Sequence, residues 1–115
     1  MSKAREQVAA DVFFALGDRT RLSVVRKLGS GGALSATALS DGAKVTRQAI
    51  VKHLHVLESV GLVTRRKVGR SRPARLEIDR LTEAIGWVDS CRQEWIDRHA
   101  RLADHLSTVP VEAMR

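Results

Sequence analysis

Nine Lys or Arg residues fall between positions 44 and 75: Lys44, Arg47, Lys52, Arg65, Arg66, Lys67, Arg70, Arg72 and Arg75, against one acid, Glu58. The stretch has a formal charge of +8 in a 115-residue chain whose total is +7, so the remainder is close to neutral. Cations gathered in this way suit a polyanion, because each one brought to a phosphate releases a condensed counterion. Nucleic acid is the leading partner. The spacing divides the cations into two groups. Lys44, Arg47 and Lys52 accompany a helical pattern, whereas Arg65 to Arg75 crowd a short β-leaning segment.

Other chemistry is thinly represented. No Ser/His/Asp or Cys/His constellation, phosphate-cradling glycine loop or metal-ligand cluster stands out, so neither catalysis nor a cofactor is expected. The single Cys91 has no partner for an intrachain disulfide and suits a small apolar position on a helix in a reducing compartment. No apolar run approaches the roughly 20 residues needed to cross a bilayer, and the first residues lack an apolar core with a cleavage site. A cytoplasmic protein with no membrane partner is expected. The length and a composition of 43% hydrophobic and 29% charged residues fit one globular domain spanning 1–115.

The elements that must hold the cations follow from periodicity and caps. Val8, Ala9, Val12, Phe13 and Leu16 recur at helical spacing and predict a first helix over 4–16. Asp18 can cap a second helix with Leu22, Val25 and Leu28 as its apolar stripe, closed by the glycines at 29, 31 and 32. Ser35 can cap a brief third helix, residues 36 to about 40, with Ala38 and Leu39 inward, before Asp41-Gly42 breaks it. Thr46 can cap a fourth helix running to about Val60 and closed by Gly61. A short helix, a turn and a longer helix make a helix-turn-helix candidate. Residues 62–68 and 74–78 predict a β-hairpin around Gly69-Arg70-Ser71-Arg72-Pro73, and Asp79 opens a last helix ending near Val109-Pro110.

On the fourth helix, Ile50, Leu54 and Leu57 share one side, and Gln48, Lys52, His55 and Ser59 share the other. Gln can pair with adenine through two hydrogen bonds and Lys can donate to guanine, so the outward side has the chemistry of base edges. Arg47 and Thr46 add donors at the helix start, where a recognition helix meets DNA. His53 falls near the packed side and reads as a hydrogen-bonded residue at the edge of the core. The hairpin cations, with no acids interspersed, suit a phosphate backbone, and an Arg at the tip suits a narrow minor groove.

Four segments resemble the ArsR family of bacterial winged-helix transcriptional regulators. They are Ala15-Leu16-Gly17-Asp18-Arg19-Thr20-Arg21-Leu22, Val45-Thr46-Arg47-Gln48-Ala49-Ile50-Val51-Lys52-His53-Leu54, Val56-Leu57-Glu58-Ser59-Val60-Gly61-Leu62-Val63, and the basic hairpin. The resemblance covers roughly residues 8 to 80 and is looser through the last helix. It implies a mainly α, winged helix-turn-helix fold of order α-α-α-α-β-β-α, dimeric through the first and last helices. It also implies a fourth helix in the major groove, a wing beside it, and repression relieved by a signal. Two family sensors do not match. The third helix, Ala36-Thr37-Ala38-Leu39-Ser40-Asp41, has no Cys-x-Cys pair, and Asp97-x-His99 lacks the distal pair of an intersubunit metal site. The last helix looks like that of the metal-free, SdpR-like subgroup, in which two tryptophans recur in a pattern such as Trp87, Arg92, Trp95, Arg98, Leu102 and Leu106.

The last helix also has more large apolar groups than one layer of a small domain covers, which predicts burial against a second copy. Helical segments 1–16 and 79–109 are the expected dimerisation elements, with Val12, Phe13, Trp87, Val88, Cys91, Trp95, Leu102 and Leu106 at the contact and Phe14 available to complete it. The expected DNA contacts are Lys44, Thr46, Arg47, Gln48, Val51, Lys52 and His55 around the fourth helix, and Arg65, Arg66, Lys67, Arg70, Ser71 and Arg72 in the wing. Specificity is assigned mainly to Arg47, Gln48 and Lys52. A two-fold dimer predicts an inverted repeat with half-sites about 10 base pairs apart, or a multiple of that. The expected function is therefore a sequence-specific, homodimeric repressor of transcription acting on double-stranded DNA, its effector unspecified. The alternatives are a metal-responsive repressor using Asp97, His99 and His105, a pure protein-interaction domain, which leaves the wing charge unexplained, and an RNA-binding module. The last is disfavoured because no aromatic lies between Lys44 and Arg75.

Overall fold

The computed structural model describes residues 3–107. In chain order it contains α1 (Lys3–Leu16), α2 (Arg19–Gly31), α3 (Ala36–Ser40), α4 (Arg47–Ser59), β1 (Val63–Arg65), β2 (Ala74–Leu76) and α5 (Ile78–Ser107). Three helices begin on the caps that the sequence predicts. Asp18 Oδ1 accepts from the Arg21 N–H at 3.0 Å, Ser35 Oγ from Ala38 at 3.1 Å and Thr46 Oγ1 from Ala49 at 3.1 Å. Each satisfies an N–H that the first helical turn leaves without an intrahelical partner.

The core is a contiguous apolar cluster. Ile50, Leu54 and Leu57 of α4 are buried as their spacing predicts, against Val24 and Leu28 of α2, Leu39 of α3, and Leu62 and Val63 at the wing base. No polar or charged residue is buried among the described residues. Three expectations need correction. The apolar stripe of α2 is Val24 and Leu28, with Val25 half-buried and Leu22 exposed, and the helix runs on through Gly29 to Gly31. In α3 the inward residues are Ala36 and Leu39, and Ala38 is exposed. Val12 is fully enclosed in the protomer's own core, so it has no surface to offer a second chain.

β1 and β2 pair antiparallel with Val63 opposite Leu76, Thr64 opposite Arg75 and Arg65 opposite Ala74. Leu34, between α2 and α3, exchanges two backbone hydrogen bonds with Ala74 and so ties the hairpin to the helical layer. The hairpin narrows to a second bridge, Val68 with Ser71, around Gly69 at φ +61°. Gly61 closes α4 at φ +81°, the left-handed region that favours glycine, and the Arg80 guanidinium packs close against its bare α-carbon.

Helix α5 starts at Ile78, one residue earlier than the predicted cap, with Asp79 in its first turn. Only Glu77 separates it from β2, and Glu77 is held on both sides: its N–H donates to the Leu62 carbonyl and its carboxylate accepts from Thr64 Oγ1 at 2.7 Å. The Arg5 guanidinium lies against Gly86, placing the start of α1 beside the middle of α5. From Val88 to Leu106 every residue of α5 is exposed. The predicted end at Val109-Pro110 and the first two residues of segment 1–16 lie outside the described residues.

Candidate nucleic-acid interface

Burying Ile50, Leu54 and Leu57 turns the opposite side of α4 to the surface. Gln48, Lys52, His55 and Ser59 are all exposed there. Lys44 is exposed in the turn before the helix, and Val51 is half-buried against the core, which leaves it only an edge to present. Thr46 Oγ1 is occupied as an acceptor by the Ala49 N–H, yet its hydroxyl proton remains available to an acceptor outside.

The orientation of α4 is secured at one edge by a polar cluster. Arg21 Nη1 lies 3.3 Å from His53 Nδ1 and donates to it, since a guanidinium has no acceptor. Arg21 Nε donates to the Ala15 carbonyl at the end of α1, and the same guanidinium stands 6.0 Å from the Phe14 ring centre. Asp18 faces His53 at 3.9 Å. The Asp18 carboxyl is held below the usual carboxylate range, chiefly by the Arg21 backbone N–H, with the Arg21 guanidinium adding to the effect and desolvation opposing it. His53 is thus a core-edge residue joined to α1 and α2, as its position on the helix predicts, and it does not face outward.

The wing stands beside α4. Arg66, Lys67, Arg70, Ser71 and Arg72 are exposed on it, and Arg65 is half-buried with Nε donating to the Arg72 carbonyl at 3.4 Å. Between α3, the first turn of α4 and the wing runs an open groove lined by Ser35, Thr37, Arg47, Arg65, Arg70 and Arg72. Arg47 Nε donates to Thr37 Oγ1 at 3.2 Å across this groove. Sequence reasoning found the four arginines and missed Thr37 and Ser35, whose nearness to the wing depends on the turn between α3 and α4 and leaves no periodic signal.

A helix-turn-helix domain model matches residues 16–66, the segment from the last residue of α1 through β1. A solved ArsR-like transcriptional regulator from Rhodococcus sp. RHA1 is 33% identical, with a TM-score of 0.80 over 90% of this chain and 97% of that one. The chain belongs to the ArsR family. It is a DNA-binding transcriptional regulator with a winged helix-turn-helix fold. An uncharacterised HTH-type transcriptional regulator of Methanocaldococcus jannaschii is 35% identical over 81 residues, 70% of this chain and 91% of the relative. The homodimeric winged helix-turn-helix domain of a possible ArsR-family regulator from Mycobacterium bovis shares the fold at 24% identity, with a TM-score of 0.63 over 79% of this chain and 85% of that one.

In this ArsR-family chain α5 differs in character along its length. Ala84 is buried and Leu81 packs against the core, while Val88, Trp95, Leu102 and Leu106 on the same side are exposed, as are Cys91 and, on α1, Phe13 and Phe14. Trp87 is half-buried beside the first turn of α1. Asp97 accepts from Gln93 and the His99 Nδ1–H donates to the Trp95 carbonyl at 3.0 Å, so both are engaged within their own helix. Among the described residues no three His, Cys, Asp or Glu side chains converge as a metal site, and no helix is long and apolar enough to cross a membrane.

Proposed function

We propose that this ArsR-family chain is a homodimeric repressor that binds an inverted-repeat operator with α4 in the major groove and the wing along the flanking backbone. The observation that carries this is the pairing of a wholly polar outward face on α4 with a wing whose cations have no acidic partners among the described residues. Gln48 and Lys52 read base edges, with His55 beside them. Arg66, Lys67, Arg70 and Arg72 hold phosphates and supply most of the affinity. The residues form one regulatory domain in which no catalysis and no bound metal are assigned, acting in the cytoplasm on double-stranded DNA.

Support for the dimer comes from α5. Val88, Arg92, Trp95, His99, Leu102 and Leu106 follow each other at alternating spacings of four and three, the repeat by which one helix seats its side chains between those of another. Four of these six are apolar and exposed in the protomer. The relative from Mycobacterium bovis is homodimeric. Two copies of α4 related by a two-fold axis require half-sites about 10 base pairs apart or a multiple of that. Selection of bound sequences from random duplex DNA tests the proposal: an enriched inverted repeat is expected, and enrichment of a lone half-site, or of none, would refute it.

A further inference from the structure

We infer that the groove between α3, the start of α4 and the wing seats a single backbone phosphate of the bound DNA, with Arg47 as a phosphate ligand and not a reader of bases. This rests on the proposed docking of α4 and the wing on duplex DNA. Four arginines, at positions 47, 65, 70 and 72, line the groove with no acid among its walls, and none of them forms an ion pair among the described residues. Like charges brought together without a counter-ion repel one another, and an anion between them removes that repulsion. The neutral wall residues Ser35 and Thr37 are hydroxyl-bearing, as suits an oxyanion.

Arg47 is aimed by geometry. On an ideal helix it lies roughly 100° around α4 from Gln48, on the side of α3 and the wing and away from the outward row of Gln48, Lys52 and His55. The bond from its Nε to Thr37 Oγ1 fixes the guanidinium plane and leaves both Nη groups for a ligand in the groove. Thr37 is therefore a positioning residue. Arg65 has a similar part on the opposite wall, since its bond to the Arg72 carbonyl braces the wing backbone next to Arg70 and Arg72. Phosphate-class chemistry could be supplied by the DNA backbone or by a free anion. The backbone is favoured because the groove is open and continuous with the exposed faces of both α4 and the wing.

The test is a set of affinities over a range of salt concentrations for an operator duplex and a random duplex, using wild type, Arg47→Ala, Thr37→Val and Gln48→Ala. All three positions are exposed, and circular dichroism checks that each variant is folded. Arg47→Ala is expected to weaken both duplexes by the same factor, about tenfold for each protomer bound, and to flatten the log–log salt dependence by about two, one phosphate contact from each protomer of the dimer. A single neutral methylphosphonate, walked along the half-site, should weaken wild type at one position where Arg47→Ala is indifferent. Thr37→Val should reduce sensitivity at that same position. Loss by Arg47→Ala confined to the operator, or an unchanged salt slope, would overturn the assignment, while a Gln48→Ala variant that still lost base preference would leave the docking intact. If Gln48→Ala also acted equally on both duplexes, the docking itself would fail. Pyrophosphate at constant ionic strength is the last arm. No Arg47-dependent binding to the free protein is expected, and such binding would transfer the groove to a soluble anion and refute the backbone assignment.

Discussion

Trp95→Ala separates the subunit contact from the fold. Trp95 is 57% exposed in the protomer and lies on the stretch of α5 that no other element covers. A tryptophan can bury up to about 250 Å², so roughly 140 Å² remains to be covered by a partner. At about 25 cal/mol per Å² that is about 3.5 kcal/mol for each copy and about 7 kcal/mol for the symmetric pair, as an upper bound. Alanine retains part of the contact, and burial at an interface is incomplete, so a loss of about 3–4 kcal/mol is expected, or roughly 10²- to 10³-fold in the dimer dissociation constant. Sedimentation equilibrium of both proteins reads that constant. Urea unfolding of the variant, extrapolated to infinite dilution of the dimer, should show a protomer as stable as wild type. A wild type that is monomeric at micromolar concentration, or a folded variant with an unchanged dimer constant, would refute the reasoning. A variant whose protomer loses the 3–4 kcal/mol would show that Trp95 packs within its own chain.

Gln48→Ala should relax base preference at one operator position by about 1–3 kcal/mol, whereas Arg70→Ala should weaken every sequence alike and flatten the salt slope; competition binding against single-base operator variants distinguishes them. Thr46→Ala removes the cap of α4 and should cost about 1 kcal/mol, seen as a lower urea midpoint with an unchanged slope. The Asp18 carboxyl is depressed in the folded chain, so its contribution is present above the unfolded pKa and is lost as pH falls through the folded value. Thermal midpoints measured downward from pH 5 should therefore fall more steeply in wild type than in Asp18→Asn, which retains a capping oxygen without the charge. Equal slopes would remove Asp18 from the acid response.

Local chemistry made the caps legible. Asp18, Ser35 and Thr46 act through N–H groups three residues away, so sequence alone placed them, and the long period of α4 similarly placed Ile50, Leu54 and Leu57. What escaped depended on contacts from far along the chain. Leu34 meets Ala74 only once the hairpin folds back, and the five residues of α3 are too few to distinguish Ala36 from Ala38 by period. Val12 was correctly placed on an apolar face, but periodicity does not say whether the cover is a neighbouring helix or a second protein. At the interface, the types and positions of the arginines were visible, while the bond from Arg47 to Thr37 needed the turn between α3 and α4 to be drawn.

The short joint at Glu77 makes α5 a lever. With its N–H and its carboxylate both engaged at the wing base, this residue leaves little freedom between β2 and the helix. The helix then continues without interruption to Trp95, roughly 26 Å from Ile78 at 1.5 Å per residue. Tilting one α5 by about 10° at Trp95 therefore swings the wing base by roughly 4.5 Å. That exceeds the roughly 3.4 Å between successive base pairs, so in the proposed dimer on DNA a small change in the crossing angle of the two helices would shift a wing out of register with its phosphates.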